Sequence, residues 1–152
     1  MLYRNYRAIK LGYRSGLEAA VADQLQKLGV TAEYESIRVP YEVPVTLRHY
    51  TPDYVLPNGI VVETKGRFTL DDRKKHLNIQ EQYPDLDLRF VFSNPLCTIH
   101  KGSKTTYADW CNKYGFLYAH KFVPKAWVEE TINAKSQWVV RQFTKNKPKK
   151  KT

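Results

Sequence analysis

The sequence has few of the residues that build zinc knuckles, disulfide frameworks or membrane spans. Its 152 residues include two cysteines, Cys97 and Cys111, and four scattered histidines. Cysteines this few and this far apart exclude a zinc knuckle and a disulfide framework, so a reducing, cytosolic compartment is the default expectation. No apolar run approaches the length of a membrane span, and no signal peptide opens the chain. We therefore expect one domain with a hydrophobic core and no membrane partner.

Acidic residues are missing from both ends of the chain. Residues 1–14 hold four basic residues and residues 141–152 hold six, which together account for the net charge of +10. Basic arms favour a polyanion, because they neutralise phosphates and release counterions. The composition predicts a basic N-terminal arm over 1–14, a globular domain over 15–140 and a basic, disordered tail over 141–152.

The globular part is organised around the stretch TPDYVLPNGIVVETK at 51–65. Two apolar runs flank the Pro-Asn-Gly sequence at 57–59, whose residues suit a tight turn. The pattern predicts a β-hairpin with a three-residue loop and glycine at the left-handed position. In the register that this loop sets, Tyr54 lies opposite Val62.

The same register brings two acids and a lysine together. Asp53 lies opposite Glu63, with Cβ atoms about 4.5–5.5 Å apart. Two carboxylates this close repel each other unless a cation lies between them, and hard divalent cations prefer oxygen ligands. Lys65 projects from the same face as Glu63, because it lies two residues further along the strand. A metal beside a lysine suits phosphodiester hydrolysis. The alternative is a surface hairpin with a Lys65–Glu63 salt bridge.

The segments before this hairpin contain two further acids. A helix is predicted from Ser15 to Leu28, and Glu18 fits the third position of a capping box, which explains it without chemistry. The stretch 31–46 is extended and contains two prolines. It therefore forms an edge or a bridge between elements, and it is also a plausible hinge for exchange between protomers. Glu33, within this stretch, is either an active-site acid or an exposed strand residue.

The rest of the chain predicts alternating strands and helices. A helix from Leu70 to Gln82, capped by Thr69, carries a basic cluster that is either a solvated face or a phosphate contact. Further elements are expected as a strand with one apolar face over 86–92, a helix from Thr105 or Thr106 to Gly115, a strand over 116–119 and a helical turn after Pro124. The predicted fold class is α/β, with a mixed β-sheet and flanking helices.

The spacing of Pro52-Asp53 and Glu63-Thr64-Lys65 resembles the motif of the PD-(D/E)xK nuclease superfamily. The stretches RSGLE at 14–18 and DDRKKHL at 71–77 resemble the bacteriophage endonuclease I family of Holliday-junction resolvases, and the likeness runs from about residue 10 to 130. This resemblance implies a PD-(D/E)xK nuclease-like core in a segment-swapped homodimer. Its chains would cross at about 39–46, and each active site would draw on both chains.

The resemblance also implies roles for single residues. Asp53, Glu63, Glu18 and the carbonyl of Thr64 would be metal ligands, with Glu18 donated by the partner chain. Lys65 would be the catalytic lysine, and Glu33 would be a further catalytic acid without an assigned role. The cofactor would be Mg²⁺ or Mn²⁺, one or two ions per site. DNA contacts are predicted for basic and polar residues of the arm and the helix: Arg4, Arg7, Arg14, Ser15, Arg67, Arg73, Lys74, Lys75 and His76.

The function implied is resolution of four-way junctions and other branched DNA by paired symmetric nicks, in the cytoplasm of an infected bacterial host. Two alternatives stay open. One is another nuclease of the superfamily without junction preference, and the other is a catalytically silent DNA-binding module. The residues alone predict only a metal-dependent nuclease.

Overall fold

The computed structural model of the protein describes residues 12–43 and 46–145. Arg4, Arg7, most of the predicted N-terminal arm and residues 146–152 lie outside the described residues, as do Pro44 and Val45. The described helices are α1 (Gly16–Lys27), α2 (Leu70–Gln82), α3 (Tyr107–Tyr114), α4 (Lys125–Glu129) and α5 (Ala134–Gln142). The described strands are β1 (Glu33–Tyr34), β2 (Val39–Val43), β3 (Thr46–Tyr50), β4 (Tyr54–Val55), β5 (Val61–Lys65), β6 (Leu88–Phe92) and β7 (Tyr118–His120).

The main sheet is mixed, as predicted. Its strand order is β1-β4-β5-β6-β7, with antiparallel pairing from β1 to β5 and parallel pairing from β5 to β7. Parallel neighbours need a crossover, and α2 and α3 lie in the two connections that provide it. Among the described helices, none is long and apolar enough to cross a membrane. The mixed sheet and the helices in its connections make the structure an α/β fold with flanking helices.

Side chains on the two faces of the sheet form separate cores. Val61 and Phe90 belong to one hydrophobic cluster, whereas their chain neighbours Val62 and Val91 belong to the other. This alternation follows from the two-residue period of a strand. The second cluster also contains residues of α1 and α4, and the first contains residues of α2, α3 and α5. Both faces of the central strands are thus covered.

The central hairpin has the predicted register. Tyr54 pairs with Val62, and the Leu56 amide donates to the carbonyl of Ile60 at 2.8 Å. Gly59 closes the loop with a φ of +90°, a conformation that side chains with a Cβ rarely adopt. The loop sequence therefore fixes which residues of β4 and β5 lie opposite each other.

Gly59 should be among the least replaceable glycines of the described chain. A Cβ there would lie 3.0 Å from the Asn133 carbonyl oxygen and 3.0 Å from the Gln137 amide nitrogen. Strain and overpacking together lead us to expect that Gly59→Ala lowers the free energy of unfolding by about 2–4 kcal/mol in urea denaturation. Gly66→Ala is the matched control, because its Cβ would have only the Ser93 hydroxyl nearby, at 3.7 Å. Equal stabilities of the two variants would contradict this close approach of Gly59 to α5.

Strand β6 differs from its prediction. All five of its residues are buried, so the expected single apolar face is wrong. Its one charged residue, Arg89, donates hydrogen bonds of 2.8 Å to Asp87 and Glu130, and its guanidinium lies over the Trp127 ring. These partners let a charged side chain occupy a strand covered on both faces.

The folded part extends beyond the predicted boundary at residue 140. Helix α5 contains Arg141, Thr144 forms a β-bridge with Ile37, and the Lys145 amide donates to the Ser36 carbonyl at 2.9 Å. Residues 141–145 were predicted to be disordered from composition. The structure places them in the globular domain, because main-chain bonds and apolar packing hold them against the residues before β2.

The predicted bridging segment forms a strand in this chain. β2, which contains Pro40, pairs along its whole length with β3 in a separate two-stranded sheet. A proline is tolerated there because each strand of such a sheet has a free edge. Residues 44–45, which connect the two strands, lie outside the described residues.

Candidate active site

A polar pocket of about 320 Å³ lies where the central hairpin meets the start of α1, the end of β3 and the side of α2. Its position follows from the sheet, since β4 begins and β5 ends at the same edge. The lining residues are Arg14, Glu18, His49, Tyr50, Thr51, Asp53, Glu63, Thr64, Lys65 and Lys75. The structure thus brings Asp53, Glu63 and Lys65 together, as the sequence predicted.

Asp53 is almost fully buried and rigidly held. Its Oδ2 accepts hydrogen bonds from the amide of Thr64 at 2.8 Å and from the Thr64 hydroxyl at 2.7 Å. Its Oδ1 accepts from Nη2 of Arg14 at 2.8 Å. Thr64 therefore fixes one oxygen of the carboxylate, and the other oxygen faces a cation.

Glu63 is buried beside Asp53. One of its oxygens, Oε2, accepts a hydrogen bond from the Tyr50 hydroxyl. Its other oxygen, Oε1, lies 3.6 Å from Nζ of Lys65. Burial, and then the negative charge of Asp53, raise the pKa of Glu63 to about 8. Glu63 therefore holds its proton up to neutral pH unless a further positive charge comes close.

Lys65 bridges the pocket and helix α2. Its Nζ lies 3.0 Å from Oδ1 of Asp72, closer than the 3.6 Å that separates it from Glu63. Burial lowers the pKa of Lys65, but the carboxylates of Glu63 and Asp72 outweigh that effect and raise it. The amine is therefore charged, and it lies beside the carboxylates of both Glu63 and Asp72. The simple Lys65–Glu63 salt bridge is only part of its environment.

Asp72 is a residue that the sequence reasoning missed. Its carboxylate also accepts the Thr69 amide at 3.0 Å, so it completes the N-terminal capping box of α2. An acid at the third helical position has this local explanation, which concealed its contact with Lys65. Because α2 follows β5 after a short connection, one carboxylate serves both the helix terminus and the pocket lysine.

Glu18 lies in the pocket, but only half of its predicted capping box is present. Ser15 caps α1 by accepting the Glu18 amide at 3.2 Å. The Glu18 carboxylate instead accepts from the Arg14 amide and the Tyr34 hydroxyl. Its carboxylate therefore lies beside the residue that precedes the helix cap, within 4.8 Å of a carboxylate oxygen of Asp53 in the same chain.

Glu35, rather than Glu33, joins the acidic group. Carboxylate oxygens of Glu18, Glu35 and Asp53 all lie within 4.8 Å of one another. Glu33 is exposed on the edge strand β1, whereas Glu35 has a φ of +46°. Glu33 and Glu35 would share a face in a regular strand, and the left-handed backbone at Glu35 separates them. Sequence alternation alone could not distinguish the two.

Two of the predicted DNA contacts are buried. Arg73 donates from Nη1 to the carbonyls of Phe68 at 2.7 Å and Ile99 at 3.1 Å, so it supports the chain on either side of α2. His76 is fully buried among aromatic rings, and burial lowers its pKa well below the usual value. These positions correct both predictions, because neither side chain reaches the surface. Arg67 and Lys74 are exposed, and Lys75 lines the pocket.

The buried carboxylates suit a hard divalent cation. Asp53 and Glu63 supply oxygen donors, which Mg²⁺ and Mn²⁺ prefer over nitrogen or sulfur. The pKa of Glu63 is raised because burial and the charge of Asp53 outweigh the opposing effect of Lys65, and a divalent cation between the pair would favour the ionised form. The donor set therefore fits the magnesium or manganese predicted for it.

The fold and the pocket together define an α/β protein with an acidic site suited to a divalent metal. The family model described as "Phage endonuclease I" matches residues 2–150, so the chain belongs to the phage endonuclease I family. The protein named "Endonuclease I" of Escherichia phage T7 is 51% identical over 118 residues, which span 78% of this chain and 79% of that protein. "Endodeoxyribonuclease 1" of Enterobacteria phage T3 is 52% identical over 118 residues, 78% of each chain.

Proposed function

We propose that the protein is a metal-dependent DNA endonuclease with a PD-(D/E)xK core, which resolves four-way junctions and other branched DNA by paired symmetric nicks. The observation that carries this proposal is the buried Asp53–Glu63 pair with Lys65 in one pocket. Family membership and the printed names of the two phage relatives support a DNA substrate. By the same reasoning, we propose that it acts in the cytoplasm of an infected bacterium.

Asp53 and Glu63 would hold one or two Mg²⁺ or Mn²⁺ ions, with the Thr64 carbonyl and Glu18 as further ligands. When bound, such a cation supplies an activated water and neutralises phosphate charge. The protein's own contribution is to fix the ligands before the substrate arrives. Thr64 holds Asp53, and Tyr50 holds one oxygen of Glu63. Rigid positioning of this kind lowers the reorganisation needed in the transition state.

Lys65 would stabilise negative charge that develops on the phosphate. Its amine is held by Asp72 on one side and Glu63 on the other, so its position does not depend on the substrate. We expect Lys65→Ala to lower the single-turnover cleavage rate by about a hundredfold or more, with little change in DNA affinity. Lys125→Ala, at an exposed lysine of α4, is the matched control and should cut at the wild-type rate. If affinity falls while the rate holds, Lys65 only anchors phosphate.

DNA would approach the pocket over α2. Arg67 and Lys74 are exposed there, and Lys75 and Arg14 line the pocket. Ser15 is half-buried and follows Arg14 in the chain. Arg4, Arg7 and the basic residues beyond Lys145 would add contacts to phosphates, which strengthen binding and make it sensitive to salt. Such contacts position the duplex and carry little information about its sequence.

A homodimer would provide the two sites that symmetric nicking requires. In the structure, Glu18 and Asp53 meet within one chain. Two chains could exchange the segment before β3, which contains Glu18. The Glu18–Asp53 contact would then form between two protomers, since domain swapping preserves contacts away from the hinge. The connection between β2 and β3 is the proposed hinge, and composite active sites would be the result.

The experiment that tests the proposed function compares a synthetic four-way junction with its linear duplex, in Mg²⁺ and in EDTA. We expect cleavage of the junction only, in Mg²⁺ only, with paired cuts on opposite strands. Equal cleavage of both DNAs would favour a nuclease without junction preference. Binding without any cleavage would favour the catalytically silent DNA-binding module.

A further inference from the structure

Arg14 makes the tightest ionic contacts in the acidic group. Its Nη2 lies 2.8 Å from Oδ1 of Asp53, and its Nε lies 2.9 Å from Oε1 of Glu35. The same guanidinium lies 3.8 Å from Glu18. Yet 62% of its side chain is exposed, so the group is both bonded to buried acids and open to solvent at the pocket rim.

The contact with Asp53 conflicts with the proposed metal ligation. Oδ1 is the Asp53 oxygen that Thr64 leaves free, so it is the atom available to a divalent cation. A guanidinium and a divalent cation at one oxygen repel each other, and the burial of Asp53 strengthens that repulsion. Cation binding must therefore release Arg14 from Asp53.

The contact with Glu35 survives that release. It uses Nε, whereas the contact with Asp53 uses Nη2, so the two bonds lie on different nitrogens of one planar group. Glu35 also comes from a different part of the chain than the buried pair and is more exposed. Once a cation replaces Arg14 at Asp53, Arg14 stays anchored to Glu35 through Nε, and its Nη groups are free at the pocket rim. A free guanidinium fork there matches the geometry of a phosphate.

We propose that Arg14 is a phosphate-binding residue of the active site that pivots on Glu35, bonding Asp53 before a cation binds and the DNA phosphate afterwards. Glu35 is then a positioning residue for Arg14 and not a metal ligand. The inference rests on the proposed function in one respect, that a divalent cation binds at Asp53. The pivot couples metal binding to DNA binding. A cation at Asp53 frees Arg14 for the phosphate, and a phosphate bound to Arg14 frees Asp53 for the cation.

The first test is Ca²⁺ titration by calorimetry without DNA. Arg14→Ala should bind Ca²⁺ about tenfold more tightly than the wild type, because a charge-assisted competitor at Asp53 is gone. Adding Glu35→Gln to Arg14→Ala should then change the affinity by less than about threefold, since Glu35 has no other role here. A further loss of tenfold or more would make Glu35 a metal ligand and overturn the pivot.

The second test is binding to a four-way junction and to linear duplex, with Ca²⁺ or with EDTA. In Ca²⁺, Arg14→Ala should weaken binding and reduce the slope of log affinity against log salt by about one. In EDTA the loss should be much smaller, because Arg14 is then held by the acids and makes no phosphate contact. Arg38→Ala removes the same charge elsewhere on the surface and should have the same effect in both conditions. Equal losses for Arg14→Ala in Ca²⁺ and EDTA would overturn the pivot.

These readouts separate the inference from the proposed function. If neither the wild type nor Arg14→Ala binds Ca²⁺, the metal site itself is wrong, and the pivot fails with it. If the wild type binds Ca²⁺ and Arg14→Ala binds no more tightly, only the pivot fails. Use of both DNAs keeps the result independent of junction preference. Should Arg14→Ala melt below the assay temperature, Arg14→Gln removes the charge while keeping polar contacts.

Discussion

Glu63→Gln should stabilise the protein at alkaline pH. Burial and Asp53 raise the pKa of Glu63 to about 8 in the folded state, against its ordinary value of 4.5. Between these values the folded protein holds a proton that the unfolded chain has lost. Stability therefore falls as pH rises through this window, by up to about 1.4 kcal/mol per pH unit. Glutamine cannot ionise, so the variant escapes this loss.

The measurement is urea denaturation of both proteins in EDTA at pH 4.5, 6 and 8. We expect similar stabilities at pH 4.5 and an advantage on the order of 2–4 kcal/mol for Glu63→Gln at pH 8. Taking the difference between the two proteins cancels the titration of all other groups. A constant difference across the three pH values would contradict the burial of an ionisable Glu63 next to Asp53.

The same variant should lose cleavage. Glutamine can still accept the Tyr50 hydrogen bond, so the pocket keeps its shape, but the charge that would hold the cation is gone. Loss of several kcal/mol of transition-state stabilisation corresponds to a fall in rate on the order of a thousandfold. Junction binding in Ca²⁺ should survive with at most the loss of the Arg14 contact, because the other surface cations are unchanged. Wild-type cleavage by Glu63→Gln would reject the assignment of this residue as a ligand.

Combining Glu18→Ala with Asp53→Ala in one heterodimer should restore one active site. Each mutant homodimer should be inactive, since every site lacks one acid. If the chains exchange their segments before β3, a heterodimer of the two mutants has one site with both lesions and one intact site. It should nick a junction once and fail to make the second cut. The mutants should be co-expressed with different tags, because swapped dimers exchange partners slowly.

A reciprocal heterodimer gives the matched control. A wild-type chain paired with a chain that carries both mutations should be inactive if sites are shared, because each site then contains one lesion. If each site is built within one chain, this second heterodimer nicks and the first does not. The two heterodimers thus give opposite results under the two architectures. Nicking by the second alone would reject the exchanged homodimer.

Local signals in the sequence were enough for several elements. The three-residue loop set the register of β4 and β5, Thr69 marked the start of α2, and Gly115 marked the end of α3. Each of these depends on residues within one turn or one hairpin. Helix α5 was missed because long-range contacts hold it, including the hydrogen bond from the Ser136 hydroxyl to the Gly59 carbonyl at 2.6 Å.

The pocket residues divide in the same way, into those that local sequence signals bring together and those that tertiary packing adds. Asp53, Glu63 and Lys65 come from one hairpin, so its register was enough to bring them together. Tyr50 and Glu35 come from other elements, and their contacts with the hairpin depend on tertiary packing. The sequence predicts the basic run of α2 as either a solvated face or a phosphate contact, but the position of α2 on the core buries two of its members. The sequence therefore predicted the chemistry of the site better than its full set of residues.

The central claim is that Asp53 and Glu63 together hold a divalent cation. It is tested most directly by anomalous X-ray diffraction from crystals of the protein grown with Mn²⁺. We predict an anomalous peak within bonding distance of carboxylate oxygens of both residues, with Nη2 of Arg14 withdrawn from Asp53. A well-ordered pocket without a peak at this pair, and with Arg14 still bonded to Asp53, would contradict the account.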